Sequence, residues 1–526
     1  MSQSPQGIES DPTAPQATAA ADLHVDQHTR LTQVTLADQT DRHNELVHER
    51  QWLVHPAEPL RLTGNLFVFE DVLTGAGRVL IKRAPLPHAR PRRVEADIAV
   101  PPAQPGGFDV TLETDDGYPF DVVEYAGGRL GRIRALHRYQ RRQVRRPIVR
   151  QLSNTWGDRN RDSRINEAFI LQEIEAGAKL GVDIVQIDDG WQQGVTSNSA
   201  EAKARGGVWE GFYAYDPDFW HVDTQRFANG LEPVVEAARS RGMGLGLWFA
   251  PDSADHFANH QRDAESVLRL YRTYGIEHVK IDSVTFNTDE GEANLRRFFD
   301  AVLEGSDGQV VFDFDVTAGV RPGYFGLMDV GPVFVENRYT DWHRYWPHQT
   351  LRNLWKLAEW VDPLRLRMEW LNPHRNADMY ADDPLGPAAH SGDFLFATVM
   401  FSNPLAWFEV SNLPGRTLDE AASLVAVWKQ WRDRMFAGTI VPVGSPPDGV
   451  NWSGFASLGE DDAICLIFRG FNQRPAACID VPGLAEGPWR VDTLATNGRV
   501  DASVATGGLN VSLDRPLTYA LLHVRR

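Results

Sequence analysis

The sequence has very little cysteine and no long apolar run, and both shortages narrow the classes of protein that it can encode. Only two cysteines occur among 526 residues, Cys465 and Cys478. This number argues against a disulfide-stabilised scaffold and against a zinc site built from cysteine pairs, so we expect two free, buried thiols. No segment approaches the ~18 consecutive apolar residues of a membrane-spanning helix, and we therefore predict no membrane partner.

Positive charge is also in short supply. Lys and Arg number 53 against 71 Asp and Glu, which gives a formal net charge of −18. Such acidity argues against a nucleic-acid partner. We therefore interpret the arginine-rich segment 138–150 as a solvated connector or a domain contact. The N-terminus shows neither the basic nor the apolar segment of a signal peptide, which leads us to expect a cytoplasmic enzyme.

The sequence also contains no complete motif for binding a metal ion or a cofactor. Segment 158–169 begins like a calcium loop, but Ser163 and Phe169 stand where glycine and glutamate are needed. The glycine-rich segment 242–246 lacks the helix start of a dinucleotide site. No phosphate loop, G-x-S-x-G elbow or H-E-x-x-H motif occurs. We therefore predict no cofactor and no metal.

Tryptophan, by contrast, is abundant, with 16 residues. Several of them follow predicted strands in the company of acids. Indole rings offer a flat apolar face with one polar N–H, and carboxylates accept hydrogen bonds from hydroxyl groups. The combination favours a site for sugars over a core that is merely rich in tryptophan.

The chain divides into four segments by composition and periodicity. Residues 1–45 are polar and aperiodic, and we predict that they are disordered or extended. Residues 46–149 contain short alternating segments broken by Gly and Pro, as in an N-terminal β domain with a connector. Residues 150–437 alternate strands with helices, and residues 438–526 are purely β, which predicts a C-terminal antiparallel β-sandwich.

Segment 150–437 has eight candidate strands, which favours the α/β class and a (β/α)8 TIM barrel over a doubly wound open sheet. The last helix is predicted to span 418–435, after a capping box formed by Thr417 and Glu420. The predicted strands are 150–156, 182–188, 243–251, 277–282, 309–315, 332–337, 364–370 and 404–409.

Polar and aromatic residues gather where these strands end, which is where a barrel carries its chemistry. One or two such acids could cap helices or pair with arginines, but a set contributed by all eight strands indicates a catalytic pocket. Glycoside hydrolysis needs one ionised and one protonated carboxyl group, which acids on different strands can provide. The candidates are Trp156, Asp188, Asp189, Trp191, Trp248, Lys280, Asp282, Asp313, Glu336, Arg338, Asp341 and Trp342.

With these residues identified, the chain resembles the clan of retaining α-glycosidases that contains the α-galactosidases, and within it glycoside hydrolase family 36. The resemblance runs over residues 150–412 and into the C-terminal segment. It rests on an ordered series of motifs: NTW (154–156), IDDGW (187–191), GLGLWFAP (244–251), HVKID (278–282) and TLRNLW (350–355). The N-terminal β domain is shorter than is usual for the family.

The resemblance implies roles for individual residues. Asp282 matches the family's nucleophile, and Lys280 matches the lysine that contacts the hydroxyls of the bound sugar. Asp188 and Asp189 match the acids that hold hydroxyls in the −1 subsite, and Trp191 helps to wall that subsite.

The acid/base of the family follows the sixth strand. Asp341, three residues beyond Arg338, fits that role, and Glu336 is the alternative. The segment 312–323 departs from the family because it lacks the Cys- and Gly-rich loop that many α-galactosidases carry there. The sugar that the chain recognises therefore stays open.

The resemblance implies double displacement with retention, with Asp282 and Asp341 about 5–5.5 Å apart. The expected partner is a small-molecule α-glycoside or oligosaccharide, an α-galactoside before others, and a homo-oligomer is left open. The alternatives are a transglycosylase, a hydrolase for α-N-acetylgalactosaminides, α-glucosides or β-L-arabinopyranosides, and a catalytically decayed sugar-binding protein. A metal-dependent lyase or isomerase would need ligand clusters that the sequence lacks.

Overall fold

The computed structural model describes residues 22–37, 45–53, 58–102, 106–158, 160–315, 320–335, 345–380, 382–484 and 487–526. The chain forms two compact units. The first comprises Met1–Val34, Glu49–Arg83 and Val94–Ala135, and the second comprises Thr35–His48, Ala84–Arg93 and Leu136–Arg526.

The N-terminal region is built from two antiparallel sheets, in the orders β3-β2-β5-β6-β9 and β1-β8-β7-β4. One apolar core, which includes Leu31, Phe67 and Leu80 of the first sheet and Ile98 and Val110 of the second, serves both. The strands are β1 Asp22–Val25, β2 Thr29–Leu36, β3 Val47–Leu53, β4 Leu60–Leu62, β5 Leu66–Asp71, β6 Gly77–Lys82, β7 Ile98–Val100, β8 Phe108–Leu112 and β9 Phe120–Tyr125. The first two lie before residue 46, so the sheets include part of the segment that was predicted to be disordered or extended.

The second unit contains a closed barrel of eight parallel strands in sequential order, which confirms the predicted TIM barrel. Every residue of these eight strands is buried except Gly244, which is partly buried, as expected for parallel strands covered on both faces. The barrel strands are β10 Leu152–Asn154, β11 Ile184–Ile187, β12 Gly244–Phe249, β13 His278–Ile281, β14 Val311–Asp315, β15 Val333–Phe334, β16 Leu366–Trp370 and β17 Asn403–Ala406.

Helices alternate with these strands. The ends of the helix Glu167–Leu180 are set by its neighbouring residues. The Asn166 side chain caps the first turn by accepting a hydrogen bond from Phe169 N at 2.9 Å, and Gly181 ends the helix with a left-handed φ of +86°. The α-helices are Gly128–Gln143, Glu167–Leu180, Ala202–Arg205, Phe212–Tyr215, Glu232–Ser240, Ala254–Phe257, His260–Tyr274, Asp289–Gly305, Pro347–Leu357, Gly392–Ala397 and Gly415–Ala437. Short 3-10 helices cover Pro87–Ala89, Pro363–Arg365, Ala377–Met379, Pro387–Ala389 and Val410–Asn412.

The capping box predicted for the last helix is wrong. The helix begins at Gly415, after Pro414, so Thr417 lies within its first turn. The Thr417 hydroxyl instead contacts His374 Nε2 at 2.8 Å, and Glu420 accepts from Gly392 N at 3.0 Å. Both side chains are used for contacts with other parts of the barrel unit, which a local sequence pattern does not encode.

The C-terminal segment forms two antiparallel sheets, in the orders β18-β19-β20-β25-β22 and β21-β24-β23, as predicted. Both cysteines are free, but the expectation that both are buried is wrong, because Cys465 is buried and Cys478 is exposed. The strands are β18 Thr439–Gly444, β19 Trp452–Leu458, β20 Asp462–Arg469, β21 Ala476–Ile479, β22 Arg490–Thr496, β23 Val500–Ala505, β24 Gly508–Leu513 and β25 Thr518–Arg525.

The arginine-rich connector makes contacts within the second unit. Arg141 pairs with the buried Asp362 and donates to Gly438 O at 2.9 Å, and Arg146 donates to Gln309 O at 2.6 Å. None of the helices in the described ranges has the length and apolar character needed to cross a lipid bilayer.

Candidate active site

The ends of β11 and β13 bring together the acids and the lysine that the sequence singled out. Lys280 Nζ lies 2.8 Å from Asp188 Oδ2, and both side chains are almost fully buried. Burial lowers the pKa of Lys280, but the carboxylates of Asp188, Asp282 and Asp315 outweigh it and hold that pKa above its ordinary value. The lysine is therefore a fixed cation between the second and fourth strands of the barrel.

Several hydrogen bonds fix the position of Asp188. Its Oδ2 accepts from Lys280 and from Asn154 Nδ2, the latter at 2.8 Å, and its Oδ1 accepts from Asp189 N at 2.9 Å. Its own backbone N–H donates to Thr155 Oγ1 at 3.0 Å. A carboxylate fixed in this way presents its remaining lone pairs in constant directions, which is what recognition of hydroxyl groups requires.

Asp189 occupies a different environment. Gln192 Nε2 donates to its Oδ1 at 2.7 Å, and the Thr196 hydroxyl donates to its Oδ2. Burial raises the pKa of Asp189 to about 7, against the opposing effect of these two hydrogen bonds, and the neighbouring Asp162 and Asp188 raise it further. The two adjacent acids of this motif thus have different hydrogen-bond partners, Lys280 and Asn154 for Asp188 and Gln192 and Thr196 for Asp189.

The raised pKa of Asp189 predicts how the stability of the folded protein should depend on pH. Because the folded-state pKa lies above the unfolded value, the folded state holds a proton that the unfolded state has released, so stability falls as pH rises from about 4 to about 7. Asp189→Asn has no proton to release, so it lacks this pH dependence. Its unfolding temperature should therefore rise relative to wild type between about pH 4 and about pH 7, and the difference should be constant above about pH 7. The exposed Asp461→Asn is the matched control, and a difference independent of pH would contradict the prediction.

Asp282 directly follows β13, and its side chain is 17% exposed. Oδ1 accepts from Ser283 N at 2.7 Å and from Arg321 Nη2 at 3.1 Å, whereas Oδ2 lies 3.4 Å from Trp248 Nε1. Ser283 has a left-handed φ of +58°, an unfavourable conformation for a non-glycine residue, of the kind that clusters at functional sites. This turn aims the Ser283 amide at the carboxylate.

The charge on Asp282 is stabilised by its neighbours. Burial alone would raise the pKa of this carboxyl group, but the positive charges of Arg321 and Lys280, with the Ser283 amide and the Trp248 indole, outweigh burial and lower it. Arg321 also pairs with Asp315 Oδ1 at 2.8 Å. The site therefore contains an ionised, partly accessible carboxylate, the state that a nucleophile needs.

The predicted tryptophans do not share one position. Trp191 and Trp248 are buried, and Trp191 Nε1 donates to Trp248 O at 2.8 Å. Trp220 packs against both in a tilted arrangement, with ring centroids 6.1 Å and 5.7 Å away, so the three indoles form one aromatic cluster. Trp156 is only partly buried.

Asp313 lies in the barrel interior rather than beside Asp282. Its side chain is 4% exposed, and its Oδ1 accepts from Arg367 Nε at 2.9 Å and Nη2 at 2.8 Å. Glu336, Arg338, Asp341 and Trp342 fall in 336–344, outside the described residues, so both acid/base candidates stay predictions.

Three contributors were missed by sequence reasoning. Arg321 lies 39 residues beyond Asp282 in the loop after β14. Asn154 was recognised only as the first residue of the NTW motif, and Thr196, a few residues after IDDGW, was not recognised. The sequence did hold a signal for Arg321, because it is a positively charged residue that follows the alternating acids Asp313 and Asp315 of the fifth strand. Within the described ranges, no group of three or more His, Cys, Asp or Glu side chains could hold a metal ion.

The sequence is similar to α-galactosidases over short segments. No protein-family model matches it. An α-galactosidase of Escherichia coli is 32% identical over 131 residues, which cover 24% of this chain and only 16% of that protein. α-Galactosidase 2 of Pediococcus pentosaceus is 28% identical over 99 residues, 19% of this chain and 11% of that protein.

The fold is similar over nearly the whole chain. The α-galactosidase of Lactobacillus brevis aligns with a TM-score of 0.66 at 13% identity, covering 96% of this chain and 74% of that one. The GH36 α-galactosidase AgaA of Geobacillus stearothermophilus aligns with a TM-score of 0.65 at 13% identity, covering 96% and 76%. Variants of AgaA have been solved in complex with stachyose and with raffinose.

Proposed function

We propose that this chain, which has the fold of the glycoside hydrolase family 36 α-galactosidases, is a retaining α-glycoside hydrolase that acts on α-galactosides. The observation that carries the proposal is the Asp282 carboxylate, which is ionised, partly exposed and adjacent to the Asp188–Lys280 pair. The sequence similarity to the α-galactosidase of E. coli supports the choice of sugar.

The proposed reaction has two displacements. Asp282 attacks the anomeric carbon through Oδ2, because Oδ1 is engaged by Arg321 and Ser283. The bond from that carbon to the glycosidic oxygen breaks, and the proton of Asp341 passes to the departing oxygen. A water oxygen then attacks the same carbon and gives its proton to Asp341, and Asp282 leaves as a carboxylate. Two inversions give net retention.

Asp188 and Asp189 accept hydrogen bonds from sugar hydroxyls in this proposal. Lys280 donates to a further hydroxyl and stabilises the negative charge that returns to Asp282 when the sugar leaves. These groups are already fixed by Asn154 and by each other before the sugar arrives. Such preorganisation avoids an ordering cost at the transition state.

The test is turnover of a panel of aryl α-glycosides, with the first-formed anomer read by proton NMR. An α-galactoside that releases α-galactose supports the proposal, whereas release of the β-anomer would show inversion and refute it. Preferential transfer to an added sugar would identify a transglycosylase. Sugar binding without turnover of any member would identify a binding protein.

Arg321 gives a further expected result. Arg321→Met removes the positive charge that pairs with Asp282 Oδ1, so the Asp282 pKa should rise. Because Asp282 must be ionised to attack, the acidic limb of the pH profile of kcat/KM should move to higher pH. Arg321→Lys should restore part of the shift, and the exposed Arg416→Met should leave the profile unchanged. An unmoved acidic limb in Arg321→Met would contradict this role.

A further inference from the structure

The interior of the barrel contains a chain of polar side chains that reaches from β16 to the active site. Arg367 donates to Asp313 Oδ1 through Nε at 2.9 Å and through Nη2 at 2.8 Å. The same guanidinium donates to Arg150 O at 2.7 Å. Asp313 is thereby fixed in position, with Oδ2 turned towards the second strand of the barrel.

Gln186 is oriented by Asp313. Its Nε2 donates to Asp313 Oδ2 at 3.3 Å. Because the nitrogen of an amide group is committed to the carboxylate, the oxygen must face the opposite side. There Gln186 Oε1 accepts from Asn154 Nδ2 at 2.7 Å.

Asn154 is oriented in turn. Its Nδ2 donates one hydrogen to Gln186 Oε1 and the other to Asp188 Oδ2 at 2.8 Å. Its Oδ1 accepts from Trp156 N at 2.8 Å. The hydrogen-bond partners of Asn154 therefore fix the orientation of its amide group. In this orientation one N–H bond of Nδ2 points at Asp188.

We infer that Asp313, Gln186 and Asn154 form an orientation relay that sets the position of Asp188 for substrate, with Asp313 as a positioning residue that does not touch the sugar. The inference rests on the proposed function, which gives Asp188 its role in binding hydroxyls. It also explains why an acid at the fifth strand faces the interior of the barrel.

Position along the strands supports this assignment over a direct contact with substrate. Asp313 lies within β14 and Gln186 within β11, whereas Asp188 directly follows β11, at the end of the strand where a barrel carries its chemistry. Asn154, Gln186 and Arg367 are each 1% exposed. In so dry an interior, reversing one amide group leaves donor facing donor, which is costly, so the relay has one favoured arrangement.

The first variant is Asp313→Asn. The new amide must turn its oxygen to Arg367 and therefore its nitrogen to Gln186. Gln186 then has to rotate, which places its nitrogen against Asn154 Nδ2 and breaks the contact between Asn154 and Asp188. KM for an aryl α-galactoside should rise about tenfold to a hundredfold, with kcat changed far less, because ground-state and transition-state binding fall together.

The decisive variant exchanges the two functional groups. In Asp313→Asn with Gln186→Glu, the new amide at 313 donates to the new carboxylate at 186, which still accepts from Asn154. The number of charges is unchanged, and only the hydrogen bond between positions 313 and 186 is reversed, so Arg367 still donates to position 313 and Asn154 still donates to position 186 and to Asp188. KM should return most of the way to wild type. If Asp313 contacted the sugar, the exchange would not rescue KM, and that result would overturn the relay.

Two further variants keep the test independent of folding. Gln186→Leu breaks the relay but leaves the Asp313–Arg367 pair, and it should raise KM as Asp313→Asn does. Asp183→Asn disrupts a different ion pair of the unit, with Arg432 and Lys429, and should lower stability without raising KM. Equal KM values in Gln186→Leu and wild type would refute the relay.

The relay and the proposed function can fail separately. If wild type turns over no glycoside of the panel, the proposed function fails, and a crystal structure of Gln186→Leu then judges the relay. Loss of the Asn154–Asp188 hydrogen bond in that structure supports it, and retention of the bond at its present length refutes it. If wild type is active, the KM values decide.

Discussion

An Asp282→Asn variant should lose about 10⁴-fold or more of kcat on an aryl α-galactoside, the largest effect expected from any single substitution in the chain. The change is nearly isosteric, and the new oxygen can still accept from Ser283 N and Arg321. What is lost is the negative charge that forms the bond to the anomeric carbon. The measurement is kcat under saturating substrate, with circular dichroism to show an unchanged fold.

Two controls sharpen this result. The exposed Asp461→Asn should leave kcat unchanged. In Asp282→Gly, azide can enter the vacated space and attack the substrate once, so the product should be the β-glycosyl azide, inverted relative to the substrate. Full activity in Asp282→Asn, or an α-azide from Asp282→Gly, would exclude Asp282 as the nucleophile.

The second-largest effect is expected for Asp341→Asn, and it should depend on the leaving group. Without an acid to protonate the glycosidic oxygen, kcat/KM on a sugar or alkyl leaving group should fall about 10²–10⁴-fold. A dinitrophenyl leaving group departs without protonation, so its loss in the first step should be much smaller. The basic limb of the pH profile, which reports the acid, should disappear. Rates measured across a series of leaving groups provide the test.

Glu336→Gln is the matched comparison for this assignment, since it removes the other candidate acid. Azide added to the true acid/base variant attacks the glycosyl-enzyme and should yield the α-azide, opposite to the product expected from Asp282→Gly. If Glu336→Gln shows the leaving-group dependence and the α-azide while Asp341→Asn does not, the acid/base is Glu336.

The architecture was predictable because the sequence alternates two periodicities over a long segment. All eight barrel strands were identified, and the fold expected from the resemblance is confirmed, since the chain shares the fold of solved α-galactosidases. The failures were local. The last helix begins at Gly415, and Thr417 and Glu420 form hydrogen bonds with His374 and Gly392 instead of a capping box. Long-range partners of this kind leave no local signature.

The site was predictable to the level of strand ends. Asp188, Lys280 and Asp282 meet as expected, because parallel strands of a barrel bring their carboxyl ends to one rim. The partners of the acids were not predictable. Asp313 lies two residues before Asp315 on β14; Asp313 pairs with Arg367, whereas Asp315 pairs with Arg321, which also contacts Asp282. These pairings depend on which side chains of other segments reach the strand, and the sequence of one strand does not contain that information.

The indole of Trp248 has one more consequence. Its N–H faces Asp282 Oδ2 at 3.4 Å, and its ring packs against those of Trp209 and Trp220. When Oδ2 becomes part of an ester in the proposed reaction, the charge that faces this N–H disappears, and it returns when the ester is hydrolysed. Indole emission responds to such nearby charges, so we expect the intrinsic fluorescence of the protein to change when the proposed ester forms and to return when it is hydrolysed, without any attached dye.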